Sequence, residues 1–187
     1  GVGLTGRLIA MMSLSLDGFI EGTGGDIGWH QVSEDLHLEL NEQLAASAAF
    51  LHGGRMQRMM EAHWPTAHEH PEASRATLEF QQIWMTKPKI VFSRTLTSED
   101  PTVGVLGRID ALEVQALKDI SKNDLHVGGA TITSVLARLG LVDEYVFYVM
   151  PTALGEGTPL FRERISLELL ESHACGNGVV RNRFRPA

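Results

Sequence analysis

The chain has 187 residues, 43% of them hydrophobic, enough for one folded domain with a buried core and too apolar for a disordered chain. Its 23 acidic against 16 basic residues give a formal charge of −7, which argues against non-specific nucleic-acid binding through a cationic surface and leaves room for a local basic pocket. The one cysteine, Cys175, excludes an intramolecular disulfide and suits a reducing, cytoplasmic setting.

Gly1 reads as a cloning remnant, and Arg7 to Ser15 as a buried first strand. The apolar run Leu8 to Leu16 is too short for a membrane span and lacks the cleavage site of a secretory signal, so no membrane partner is expected. Asp17-Gly18-Phe19-Ile20 continues the strand across a bend, and the glycines between Gly22 and Gly28 make a loop. Ser33 is a helix N-cap, with Glu34 and Asp35 in the first turn and Leu36, Leu40 and Leu44 on one face. Ala48 to His52 is a short strand, and Gly53-Gly54 opens a helix through Met60. His63 to Glu72, polar and twice interrupted by proline, reads as a surface loop. Its His63, His68 and His70 fit a histidine-rich loop better than a zinc site.

Ala76, Phe80, Ile83 and Trp84 mark a helix face, and Lys89 to Ser93 a strand. Asp110 and Glu113 form a capping pair for a helix with Val114, Leu117 and Ile120 inward. Asp124 to Val127 is a strand running into Gly128-Gly129, and Ile132, Val135, Leu136 and Leu139 form a helical stripe closed by Gly140. The apolar run Glu144 to Met150 reads as a central strand covered on both faces. Strands Ser166 to Ala174 and Val179 to Arg185 flank the turn Gly176-Asn177-Gly178, and Cys175 is a half-buried sheet residue rather than a nucleophile. The expectation is a single α/β domain over residues 1–187. It has three layers: a mostly parallel twisted sheet with helices on both faces, ending in an antiparallel hairpin.

Three segments suit phosphate. Asp124-Leu-His-Val-Gly-Gly-Ala-Thr131 takes a strand through two glycines into a helix, where free N–H groups and the helix dipole meet an anion without a Cβ in the way. His52-Gly53-Gly54-Arg55 repeats the arrangement with an arginine suited to bidentate contact. Val91-Phe92-Ser93-Arg94 ends a strand with a hydroxyl and a cation, a pair suited to the 2′-phosphate that separates NADPH from NADH. The dinucleotide fingerprint G-x-G-x-x-G is absent, since Gly22-Thr-Gly-Gly-Asp-Ile fails its last position. His37-Leu38-Glu39 matches the H-x-E of zinc deaminases, but Cys175 alone cannot supply that site's paired cysteines.

Ser15-Leu-Asp-Gly-Phe-Ile20, Gly28-Trp29, Gly54-Arg55, Val91-Phe-Ser-Arg94, Val127-Gly-Gly-Ala-Thr131, Gly140-Leu-Val-Asp-Glu-Tyr145 and Pro151-Thr-Ala-Leu-Gly-Glu-Gly-Thr-Pro-Leu-Phe161 occur in one order along nearly the whole chain. In these residues the chain resembles the dihydrofolate-reductase-like superfamily. The group it resembles most is the one related to the C-terminal reductase domain of the bifunctional riboflavin-biosynthesis deaminase-reductase. The resemblance implies NADPH held by Gly54, Arg55, Ser93, Arg94, Gly128, Gly129, Ala130 and Thr131, with Ala10 and Ile20 on the nicotinamide side. It implies Asp17, Trp29, Leu154 and Gly155 on the side of a small heterocyclic substrate, and a cytoplasmic homodimer. Where the family carries a threonine after Gly54-Arg55, this chain has Met56-Gln57-Arg58, so Gln57 replaces a hydroxyl. Asp35, near the start of the first helix, resembles the carboxylate that supports pterin protonation in dihydrofolate reductases; in an apolar cleft its pKa would rise. Three functions follow: reduction of a phosphoribosylamino-pyrimidine, reduction of dihydrofolate or another pterin, or nucleotide binding without catalysis. Arg55, Arg58, Arg162 and Arg164 are the candidates for a substrate phosphate.

Overall fold

The computed structural model describes residues 6–187; Gly1 lies outside them. In chain order the strands are β1 (Leu8–Leu14), β2 (Phe19–Glu21), β3 (Ala49–Gly53), β4 (Lys89–Phe92), β5 (Val103–Leu106), β6 (Leu125–Val127), β7 (Glu144–Val149), β8 (Thr158–Pro159), β9 (Leu167–Gly176) and β10 (Val179–Pro186). The helices are α1 (Glu34–Ala45), α2 (Gly54–His63), α3 (Arg75–Thr86), α4 (Ala111–Ile120) and α5 (Ala130–Arg138). No described helix is long and apolar enough to cross a membrane. The chain forms two compact units, Gly6 with Val32–His126, and Arg7–Gln31 with Val127–Ala187.

In the unit of residues 32–126, β3, β4 and β5 run parallel, with Phe50 opposite Lys89 and Lys89 opposite Val103. The helical segments between β3 and β4 are what the alternating pattern predicts, whereas β4 and β5 are joined by the non-helical stretch 93–102. Phe50, Phe80 and Trp84 form the core, with Leu44, Met60, Trp64 and Ile83 packed on it. Strand β5 is absent from the sequence reading. Its four residues include Gly104 and show no alternation, so only the ladder with β4 makes them a strand. Two further expectations are corrected. Residues 64–69 form a 3-10 helix with Ala67 buried, because Gln81 Nε2 donates to the carbonyls of Trp64 and Pro65 at 3.0 Å each and ties the segment to α3. Ile120 is 77% exposed, and Lys118, one turn from Val114, is buried in its stead; from Val114 the inward positions of a 3.6-residue helix fall at 118 and 121.

In the unit of residues 7–31 and 127–187, β1 and β7 pair in parallel, β10 pairs antiparallel with β7, and β9 with β10. Asn177 and Gly178 both have positive φ, 54° and 79°, which makes the turn between them the mirror-image type that matches the twist of a hairpin. Glu144 through Tyr148 are buried without interruption, as a central strand requires. Leu139 differs from its inward reading and is 44% exposed, since it caps the C-terminus of α5 before Gly140 turns with φ 71°.

Glu144 is the acid inside this apolar strand. Its Oε1 accepts from Arg183 Nε at 2.7 Å and its Oε2 from Arg7 Nη1 at 3.3 Å. Its side chain is 6% exposed and that of Arg183 35%. Removing one member of a buried pair strands the other charge, at about 3–5 kcal/mol when both are fully buried. With Arg183 partly solvated, Glu144→Ala is expected to destabilise the fold by about 2 kcal/mol, read as a lower midpoint in urea unfolding.

Candidate functional site

Helix starts divide into two kinds. Ser33 Oγ accepts from Leu36 N–H in α1, Ser74 Oγ from Thr77 N–H in α3, and Asp110 Oδ1 from Leu112 and Glu113 N–H in α4. The N-caps of α2 and α5 are Gly53 and Gly129, and neither supplies a side-chain cap. First-turn N–H groups without a side-chain acceptor are an anion's natural partners. Gly129 has φ 91°, a conformation that glycine adopts without strain.

At the start of α2 the structure gathers several of the predicted residues. Gly54 is buried, and a Cβ there would stand 2.9 Å from Ser93 Oγ, so the end of β4 packs directly on the helix start. Ser93 Oγ accepts from the N–H groups of Thr95 and Leu96 at 3.2 and 3.0 Å, which shapes the turn carrying Arg94. Arg55 and Arg94 are exposed. Arg58 Nη2 donates to Thr95 Oγ1 at 3.1 Å, adding a cation and a hydroxyl to the group. Thr95 was missed in the sequence, although it directly follows Ser93-Arg94.

Gln57 takes no part in this surface. It is 1% exposed, its Oε1 lies 2.6 Å from His52 Nε2, and its Nε2 donates to Glu61 at 2.8 Å. The amide donating to Glu61 fixes the hydrogen on His52 Nε2. His52 stacks on Trp84 with centroids 5.6 Å apart. Gln57 therefore builds the inner face of α2 and does not stand in for a phosphate-binding hydroxyl.

Burial holds His52, His37 and His30 below the ordinary histidine value of 6.5. The unfolded chain then takes up protons that these folded imidazoles refuse, so stability present above pH 6.5 is lost as pH falls below it. The urea midpoint is expected to be level above about pH 7 and to fall by about pH 5.5, with a shallower fall in His52→Gln. A profile flat across that range contradicts the assignment.

In the other unit, Asp17 Oδ1 accepts from Leu154 N–H at 3.0 Å and Oδ2 from Gly155 N–H at 2.8 Å. Ser15 Oγ donates to Oδ1 at 2.7 Å. The Leu154 amide, then the Ser15 hydroxyl and the Gly155 amide, hold the Asp17 carboxyl down to about 2. Three residues predicted on the substrate side are thus bonded together, with Asp17 positioning the loop. Trp29 is buried, and its Nε1 donates to Asp26 O at 2.8 Å. Ile20 is half-buried in β2, and Ala10 is fully buried in β1. Asp35 is exposed, so the enclosed apolar setting expected of a proton-donating carboxyl is not formed around it. Its neighbour Glu34 accepts from Ala76 N–H at 2.8 Å at the start of α3. His68 Nδ1 meets Gln81 Nε2 at 2.7 Å and His70 Nδ1 accepts from Glu72 N–H. Among the described residues no group of three or more His, Cys, Asp or Glu side chains could hold a metal ion.

The model of the RibD C-terminal domain family matches residues 7–181, running through both units. The chain belongs to that family. It is a reductase family, which places the chain among the oxidoreductases. The uncharacterized protein YyaP of Bacillus subtilis (strain 168) is 31% identical over 178 residues, 93% of this chain and 92% of that one. A protein of Shewanella sp. PV-4 named for riboflavin biosynthesis superposes with a TM-score of 0.73 at 19% identity, over 97% of this chain and 99% of that one. The diaminohydroxyphosphoribosylaminopyrimidine deaminase/5-amino-6-(5-phosphoribosylamino)uracil reductase of Thermotoga maritima superposes at 0.65 and 16% identity, over 98% of this chain and 57% of the enzyme. Dihydrofolate reductase of Enterococcus faecalis, solved with NADP(H), gives 0.59 at 16% identity, over 98% of both chains. The fold is dihydrofolate-reductase-like, as the resemblance in sequence implies.

Proposed function

We infer that this RibD C-terminal family member is an NADPH-dependent reductase of a small heterocycle of the 5-amino-6-(5-phosphoribosylamino)uracil type. The observation that carries the reading is the pair of α-helix starts led by glycine without a side-chain cap, at α2 and α5, while among the described residues the starts of α1, α3 and α4 are capped. These residues fit the cofactor's phosphates. Gly54, Arg55, Ser93 and Arg94 offer phosphate oxygens backbone N–H groups, a hydroxyl and guanidinium groups; Gly128, Gly129, Ala130 and Thr131, considered by themselves, offer backbone N–H groups and a hydroxyl. When bound, NADPH supplies the hydride. Asp17 holds Leu154 and Gly155 in place for the substrate side, and Ile20 offers an apolar wall to the nicotinamide. A cytoplasmic homodimer completes the proposal. The pyrimidine reading stands ahead of the pterin reading because the family match is to the RibD C-terminal domain and because Asp35 is exposed.

The test is thermal-shift titration with NADPH and NADH, followed by NADPH oxidation with the pyrimidine and with dihydrofolate. Stabilisation by NADPH alone, and turnover of the pyrimidine alone, are expected. Turnover of dihydrofolate alone would transfer the assignment to pterins, and no shift with either nucleotide would leave a non-catalytic module.

A further inference from the structure

A pocket of about 380 Å³ lies at the C-terminal end of α5, between Ser134, Ala137 and Arg138 of that helix and the segment Phe161–Ile165. It is at the other end of α5 from Gly129, about 12 Å away at 1.5 Å per residue. Its aromatic lining residue, Phe161, is held by neighbouring rings. Phe161 stands edge-on to Tyr145 and Phe147 with centroids 5.8 and 6.0 Å apart. Ser134 Oγ donates to Leu160 O at 3.0 Å and ties the segment to the helix.

The charged lining is Arg138, Arg162 and Arg164 against one acid, Glu163. Glu163 Oε1 lies 3.7 Å from Arg138 Nη1, and that exposed pair is worth little. Among the described residues Arg162 and Arg164 have no carboxylate partner. In a protein of charge −7, two arginines lining one pocket together with Phe161 make a local site for an anion. Arginine's planar fork matches phosphate or carboxylate oxygens two at a time, and pockets of this size take small organic molecules.

We propose that this pocket binds a small organic anion, a phosphate or carboxylate on an apolar body about one ring in size, with Arg162 and Arg164 on the charge and Phe161 against the body. The site does not rest on the reductase reading. The test is an NMR titration of the whole isotope-labelled chain with phenyl phosphate and with benzoate, which separate the two head groups, and with inorganic phosphate and benzyl alcohol. The amide resonances of Ser134, Ala137 and Arg138 report on the pocket itself. At least one of the two aromatic anions is expected to shift them with a Kd of about a millimolar or tighter. Inorganic phosphate should bind at least about tenfold more weakly, and benzyl alcohol should not bind, because Phe161 and the arginines act together. The double variant Arg162→Ala, Arg164→Ala should weaken binding about tenfold or more. Both residues are exposed on an irregular segment, so the fold is kept. Arg75→Ala, at an exposed arginine of the other unit, should leave binding unchanged. Resonances unmoved by either aromatic anion, equal binding of inorganic phosphate, or an unweakened double variant would overturn the proposal.

Discussion

Arg94→Ala is expected to weaken NADPH binding by about one to two decades while changing NADH binding little, since a charged hydrogen bond is worth about 1.5–3 kcal/mol. Arg94 is exposed on the turn that follows β4, where Ser93 Oγ accepts from the N–H groups of Thr95 and Leu96. That turn holds the backbone of Arg94 and leaves its guanidinium to solvent, as a residue reading a 2′-phosphate requires. The loss should shrink with added salt, because exposed charges are screened. Arg94→Lys should recover part of the affinity, since it restores the charge without the fork. Equal weakening of both nucleotides would remove Arg94 from cofactor selection.

Gly157→Ala is expected to be the most destabilising single substitution around the substrate-side loop. Gly157 has φ 145°, and a Cβ there would collide with the carbonyl oxygen of Glu21 and stand 3.2 Å from Gly22 Cα. Both obstacles are backbone of the segment that pairs with Thr158–Pro159 through Phe19 and Glu21. The clash cannot be relieved by turning a side chain; the strand pair itself must separate. Strain of this kind costs about 1–3 kcal/mol before any lost contact is added, so a fall of about 3 kcal/mol in unfolding free energy is expected. Faster hydrogen exchange at the Leu154 and Gly155 amides, which Asp17 holds, would show that the loop is released with the strand. Gly155→Ala is the control. It also has positive φ, 79°, but its Cβ meets nothing within 4 Å, so its cost should be that of backbone strain alone.

Much of the fold was legible because its signals are local. Ser33 and Asp110 cap their helices by bonds to residues two or three places on, and Asn177-Gly178 makes its hairpin from two consecutive positive φ angles. Strand β5 was not legible, since its edge is defined by β4 and not by its own pattern. Ile120 was misplaced because a helical stripe drawn from apolar residue types does not foresee the stem of Lys118 turning inward.

The candidate site divides in the same way. The sequence alone determined the glycine-led helix starts at Gly54 and Gly129, the Ser93-Arg94 pair and the membership in a reductase family, because turn chemistry and motif order are written along the chain. Tertiary structure decided what those residues touch. It turned Gln57 inward to His52, left Asp35 in solvent, closed Asp17 on amides 137 and 138 positions away, and brought Phe161, Arg162 and Arg164 to one pocket with the end of α5. The physical reason is range: a cap or a turn is satisfied within a few residues, whereas burial and long-range hydrogen bonds depend on which distant segments the fold brings into contact.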